Sequence, residues 1–230
     1  REGHNVVIPK YFREIIEQTA FEARKSEYVD QKSGVSARFT ISAMENLVSN
    51  AERRAILVGD RTIVPRICDL AHALPGMTGK VELVFEGEQE GPAKVSKALV
   101  GKAVREVFKR HFPDPLQKRV KHQGESRQQE DSEYATIVSW FESGNKVEIA
   151  DDMPIEQYLS ELDKVKGLRD ITKKHLKLLE ANKYELASAM EFVLDGLHQS
   201  SRIAKDEVDR ITAYKDLVGS IFTNTGKNFE

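Results

Sequence analysis

The chain has one cysteine, Cys68, so it can form no intrachain disulfide, and a lone thiol suits a reducing cytoplasm. It has no apolar run near the roughly 18 residues that cross a bilayer, which excludes an evident membrane-spanning helix. Neither sign of charge dominates. The 35 Lys and Arg against 37 Asp and Glu leave a net charge of −2, which argues against a dedicated nucleic-acid binder, since such proteins carry a basic excess. No G-x-x-x-x-G-K-[ST] phosphate loop occurs, so this chain alone lacks the means to hydrolyse ATP. The nearest match, Gly76-Met77-Thr78-Gly79-Lys80, has its leading glycine too close and Val81 in place of the hydroxyl residue. It reads as a turn before a strand. The opening residues Arg1-Glu2-Gly3-His4 have neither an initiator Met nor a signal-peptide pattern, and read as part of something longer.

Apolar residues make up 40% of the chain, enough for a real core, and most recur at helical spacing. Tyr11, Phe12, Ile15, Ile16, Thr19 and Ala23 line one face of a helix over 9–29, with Pro9 at a first position where its missing N–H costs nothing. Ser36 can cap the next helix; Ser42 and Glu45, three residues apart, offer a competing capping box. Either start puts Met44, Leu47, Val48, Ala51 and Ala55 on one stripe that Gly59-Asp60 ends. A third helix runs from Val64 to Leu74 and stops at Pro75-Gly76. Val81, Leu83 and Phe85 then alternate with Glu82, Val84 and Glu86, which predicts a short strand near 80–86. Helical spacing returns from Lys94 to Phe112.

Pro113-Asp114-Pro115 breaks that helix, and the stretch up to Glu133 has almost no apolar residues. It reads as a linker or disordered loop over 113–133. Tyr134 to Glu142 form a short amphipathic helix, and Val147 to Ile149 a brief strand. Helical stripes then start at Ile155, at Leu168 and at Tyr184. A last one takes in Ile203, Val208, Ile211, Leu217, Val218 and Ile221. The expected fold is mainly α: a helical region over 1–112 with a small β element, a linker, and a second helical bundle over 134–230.

Few side chains form a chemical constellation. Cys68 and His72 are four apart on a helix, but a zinc site needs three or four ligands and no other lies nearby in sequence. They read as a buried thiol and a half-exposed imidazole, and no metal site is expected. Lys118, Arg119, Lys121 and His122 are basic, but Glu125, Glu130, Asp131 and Glu133 follow and offset them. Glu86, Glu88, Glu90, Asp151 and Asp152 lack calcium-loop spacing. Phe12, Trp140 and Phe141 read as core. A DNA-reading helix would need a basic face, for which Lys173-Lys174-His175-Lys177 is the candidate.

Residues 33–38, Ser-Gly-Val-Ser-Ala-Arg, precede a helix-patterned run to Val58 that holds Asn46-Leu47-Val48 and Asn50-Ala51-Glu52-Arg53-Arg54-Ala55. Val64-Pro65-Arg66 and Leu74-Pro75 follow. From Ile8 to about Phe112 the chain is similar to the post-catalytic region of magnesium-chelatase-like and MoxR-like AAA+ ATPases. Trp140-Phe141-Glu142-Ser143-Gly144 and Tyr158-Leu159 resemble the extra C-terminal region of chelatase-like members. The resemblance implies the helical lid of an AAA+ protein plus its C-terminal domain, without the subdomain that carries the Walker motifs. It makes Arg38 a sensor-2 arginine, opened by Ser36, that reaches nucleotide phosphates. It makes Arg53, Arg54 and Arg66 candidate inter-subunit residues in a ring homo-oligomer. ATP and Mg²⁺ belong to the full-length protein, and residues 134–230 would dock a partner. Bidentate donors and a permanent charge suit Arg for phosphate. The rival expectation is a stand-alone helical scaffold or adaptor with no ATPase role.

Overall fold

A computed structural model describes residues 5–30, 32, 35–78, 80–116, 133–177 and 182–217, without the side chains of 77 and 78. The described chain is mainly helical with a small sheet. Helix α1 (Lys10–Lys25) buries the face that its apolar spacing marks, from Tyr11 to Ala23. Helix α2 (Phe39–Val58) buries Phe39, Ala43, Leu47, Ala51, Arg54 and Ala55, and ends at Gly59, whose φ of 76° glycine accepts without strain. Two short parallel strands, β1 (Asn5–Val6) and β2 (Thr62–Ile63), close the corner beyond it.

Helix α3 (Ile67–Thr78) runs through Pro75 instead of stopping there. It lies so close to α2 that a Cβ on Gly76 would sit 2.2 Å from the Asn46 amide, so tertiary packing overrides the proline signal. The expected strand near 80–86 does not form; two isolated bridges stand in its place. Val81 bridges Val35 and Leu83 bridges Val29, but Phe85 is 68% exposed and opens helix α4 (Phe85–Glu90). Glu86 and Glu88 in its first turn favour that helix start. Helix α5 (Pro92–His111) follows, packed on α1.

The later half is less helical than its spacing suggests. Helix α6 (Ala135–Glu142) leads into β3 (Val147–Ala150), then α7 (Ile155–Asp163), α8 (Leu168–Leu176) and α9 (Lys183–Gln199). The expected last helix is a hairpin, β4 (Ala204–Val208) and β5 (Ile211–Lys215), and the antiparallel sheet has the order β3-β5-β4. Val208 and Ile211 flank the hairpin turn, so their three-residue spacing imitated a helix face. Val218 and Ile221 lie outside the described residues, as do 117–132 of the expected linker.

Residues on both sides of that linker share one core. Every residue of α9 from Leu186 to Leu197 is buried. The Phe192 ring stacks on Tyr11 at 4.4 Å and meets Phe108 edge-on at 5.8 Å. Helices of 1–112 and of 134–230 are therefore layers of one packed body rather than separate bundles. Gly196 is where α5 and α9 come together, since a Cβ there would lie 2.3 Å from the Phe108 ring. Gly196→Ala raises helix propensity by up to about 1 kcal/mol but overpacks the α5–α9 contact by about 1–3 kcal/mol. The variant is expected to unfold at lower urea than the native chain; an unchanged or raised midpoint contradicts this packing.

Candidate functional site

The turn before α2 is held from two directions. Ser36 N–H donates to the Lys80 carbonyl at 3.1 Å, and the Ser36 hydroxyl accepts the Arg38 N–H at 3.2 Å. The Phe39 N–H returns to the Ser36 carbonyl at 2.9 Å. Ser36 thus shapes the turn ahead of the helix, and Arg38 itself occupies the capping position. The Arg38 side chain is exposed and has no partner among the described residues. No acidic residue stands in the first turn of α2, so nothing there offsets the positive helix end or the guanidinium. That arrangement can take an anion. Gly34 of the same segment lies outside the described residues.

The other three arginines part company. Arg53 is exposed, its Nε donating to the Asn50 side chain at 3.3 Å. Arg54 and Arg66 are buried, so of the three candidate inter-subunit residues only Arg53 is exposed. Arg54 donates to Asp69 at 2.7 Å and to the Val64 carbonyl at 3.0 Å. Burial works against its charge, but Asp69, with smaller help from Cys68 and Tyr158, holds the guanidinium above its ordinary value. Arg66 donates to the Met153 carbonyl at 2.8 Å and lies 4.0 Å over the Tyr158 ring. Burial, then the like charge of Arg54, lowers its pKa.

These arginines belong to an interior polar network that joins α2, α3, α7 and α9. Asp69, with no accessible surface, accepts Asn50 Nδ2 at 2.6 Å and the Arg66 N–H at 2.7 Å besides Arg54. Asp60 lies 3.9 Å from Arg66 and accepts the Ile155 N–H at the start of α7; burial raises its pKa against the pull of Arg66. Glu191 accepts the Tyr158 hydroxyl and, at 3.1 Å, the Ile67 N–H. Its Oε1 is buried without a hydrogen-bond partner. Ser188 bridges Tyr11, at 2.7 Å, to the Pro65 carbonyl, at 2.6 Å. Further along α9, Asp195 accepts Lys205 at 2.9 Å and so pins β4 to the helix. Glu207, at the surface, holds Lys205 from the other side; partial desolvation works against its charge, but Lys205 and Lys97 bring the Glu207 carboxyl down to about 2.

Cys68 and His72 gain a third neighbour, Asp151, with His72 Nε2 at 4.0 Å. Burial, then Asp69, pushes the Cys68 thiol up, which removes the thiolate a nucleophile would need. Among the described residues no three His, Cys, Asp or Glu are grouped to hold a metal ion. In α8, Lys174 and His175 both pair with Glu133, at 3.1 and 2.6 Å, so half of the basic run proposed for DNA is occupied. No described helix is long and apolar enough to cross a membrane. Comparison with protein-family models, with curated proteins and with solved structures finds no match.

Glu191 is the most exacting member of the network. Burial raises its pKa against the pull of Tyr158 and Lys205. The folded chain then binds the Glu191 proton more tightly than the unfolded chain, and stability falls as pH rises from the ordinary carboxylate value through the raised one. Glu191→Gln, which cannot ionise, is expected to melt close to the native chain near pH 4 and above it at pH 8. Thermal melts followed by circular dichroism across that range check this. A variant whose deficit grows with pH contradicts it.

Proposed function

We propose that this chain is the nucleotide-sensing and partner-docking portion of a magnesium-chelatase-like AAA+ ATPase, inactive alone because it has no Walker motifs. Arg38 is the sensor. When the nucleotide-binding subdomain is present, its guanidinium reaches ATP phosphates in a ring of like subunits. The observation that carries this reading is the state of Arg38: exposed, without a partner among the described residues, and aimed from a turn that Ser36 and Lys80 fix. Phosphoryl transfer depends mostly on positioning and charge stabilisation, so a single well-held cation matters. Mg²⁺ enters with the nucleotide and needs no ligand from this chain. The residues from 134 onward, with their own sheet, offer the further surface for a partner protein.

One observation favours the rival, a stand-alone scaffold or adaptor. The helices before and after the linker share a core, so the chain holds together without a missing half. The two readings separate on one substitution. In the complete ATPase, Arg38→Ala is expected to lower ATP turnover or nucleotide affinity by about ten- to a hundred-fold, with Arg38→Lys recovering only part of it. Native values of both quantities in the alanine variant would rule the sensor role out and leave the adaptor.

A further inference from the structure

A groove of about 640 Å³ runs between α1 and α5 on a face that the nucleotide reading does not use. Arg110 bonds Gln18 and His111 bonds Glu14, so the helices run antiparallel, and Lys25 comes level with Lys102 at the far end. From Gln18 to Lys25 the α1 wall is about 10 Å long. Four cations line the groove against two carboxylates. Those two are already engaged, Glu22 by Gln18 at 2.6 Å and Glu106 by Lys109 at 3.6 Å. Lys25, Lys102 and Arg105 have no partner among the described residues, and Arg105 Nε is buried with no hydrogen bond. In the same groove Phe21 is 52% exposed.

Cations held beside an exposed ring and lacking counter-charges ask for an anion with an apolar part. We infer that this groove docks an acidic segment of a partner protein, whose carboxylates meet Lys25, Lys102 and Arg105 while an apolar side chain covers Phe21. Spacing favours a peptide over a compact polyphosphate. Glu22 and Glu106 interrupt the cations, so a dense anion would face them at close range. Carboxylates on alternate residues of an extended chain are about 7 Å apart and can straddle them. An electrostatic contact of this kind steers encounter and weakens with salt.

A fluorescein-labelled twelve-residue peptide of glutamates interrupted by two leucines is the probe, read by anisotropy against the 230-residue chain. Saturable binding is expected that weakens as sodium chloride rises. Lys25→Glu with Lys102→Glu should lower affinity about tenfold or more, and Phe21→Ala about threefold or more. These positions are exposed and the variants should keep the native melt; Lys25→Gln with Lys102→Gln repeats the test without charge reversal. No binding to the native chain overturns the inference. So does equal binding by the native and charge-changed chains, or tighter binding of inorganic polyphosphate with no effect of Phe21→Ala.

Discussion

The Asp69 carboxylate, wholly shielded from solvent, fixes how α2 and α3 meet. It takes a guanidinium and an amide from α2 and a backbone N–H from the start of its own helix. Removing one partner from a buried pair costs about 3–5 kcal/mol. A domain has only about 5–15 kcal/mol in all, so the join leaves little freedom. Arg66 extends it by bonding the chain just ahead of α7, and Glu191 by accepting from both Tyr158 and Ile67. The interior is therefore an apolar core crossed by a polar seam, and the seam ties α2 and α3 to α7 and α9.

Much of the helical pattern was legible. Tyr11 to Ala23 and Val95 to Phe108 bury the faces that their spacing marks, because an amphipathic stripe has one way to leave water. Propensity misled where a neighbour decided. Pro75 sits inside α3 because α2 holds that helix in place, and Gly196, a weak residue for a helix, is where Phe108 enters. The hairpin at Ala204–Lys215 carries apolar residues across its turn at intervals that suit either period.

The polar seam was harder to read. The resemblance makes Arg54 a candidate to meet a neighbouring subunit, although it stands one position from Ala55 and three from Ala51, both on the buried stripe. A usable signal lay in α9. Between Leu186 and Leu197 apolar and small residues surround the helix on all sides, which marks a helix buried all round. Glu191 and Asp195 within it had to be interior and had to find partners. What no pattern could supply was their identity, since Tyr158 and Ile67 come from distant parts of the chain and Lys205 from a strand that its spacing hid.

Arg38 stands at the other end of the helix that Asp69 anchors. About 24 Å of α2, from Arg38 to Arg54, separates the exposed guanidinium from the buried pair, so the seam sets the direction from which Arg38 meets anything outside. The most direct measurement is a structure of the complete protein with a non-hydrolysable ATP analogue. The account predicts the Arg38 guanidinium within about 3 Å of a phosphate oxygen. Arg38 left in solvent, or bonded to a carboxylate with the analogue bound elsewhere, would contradict it.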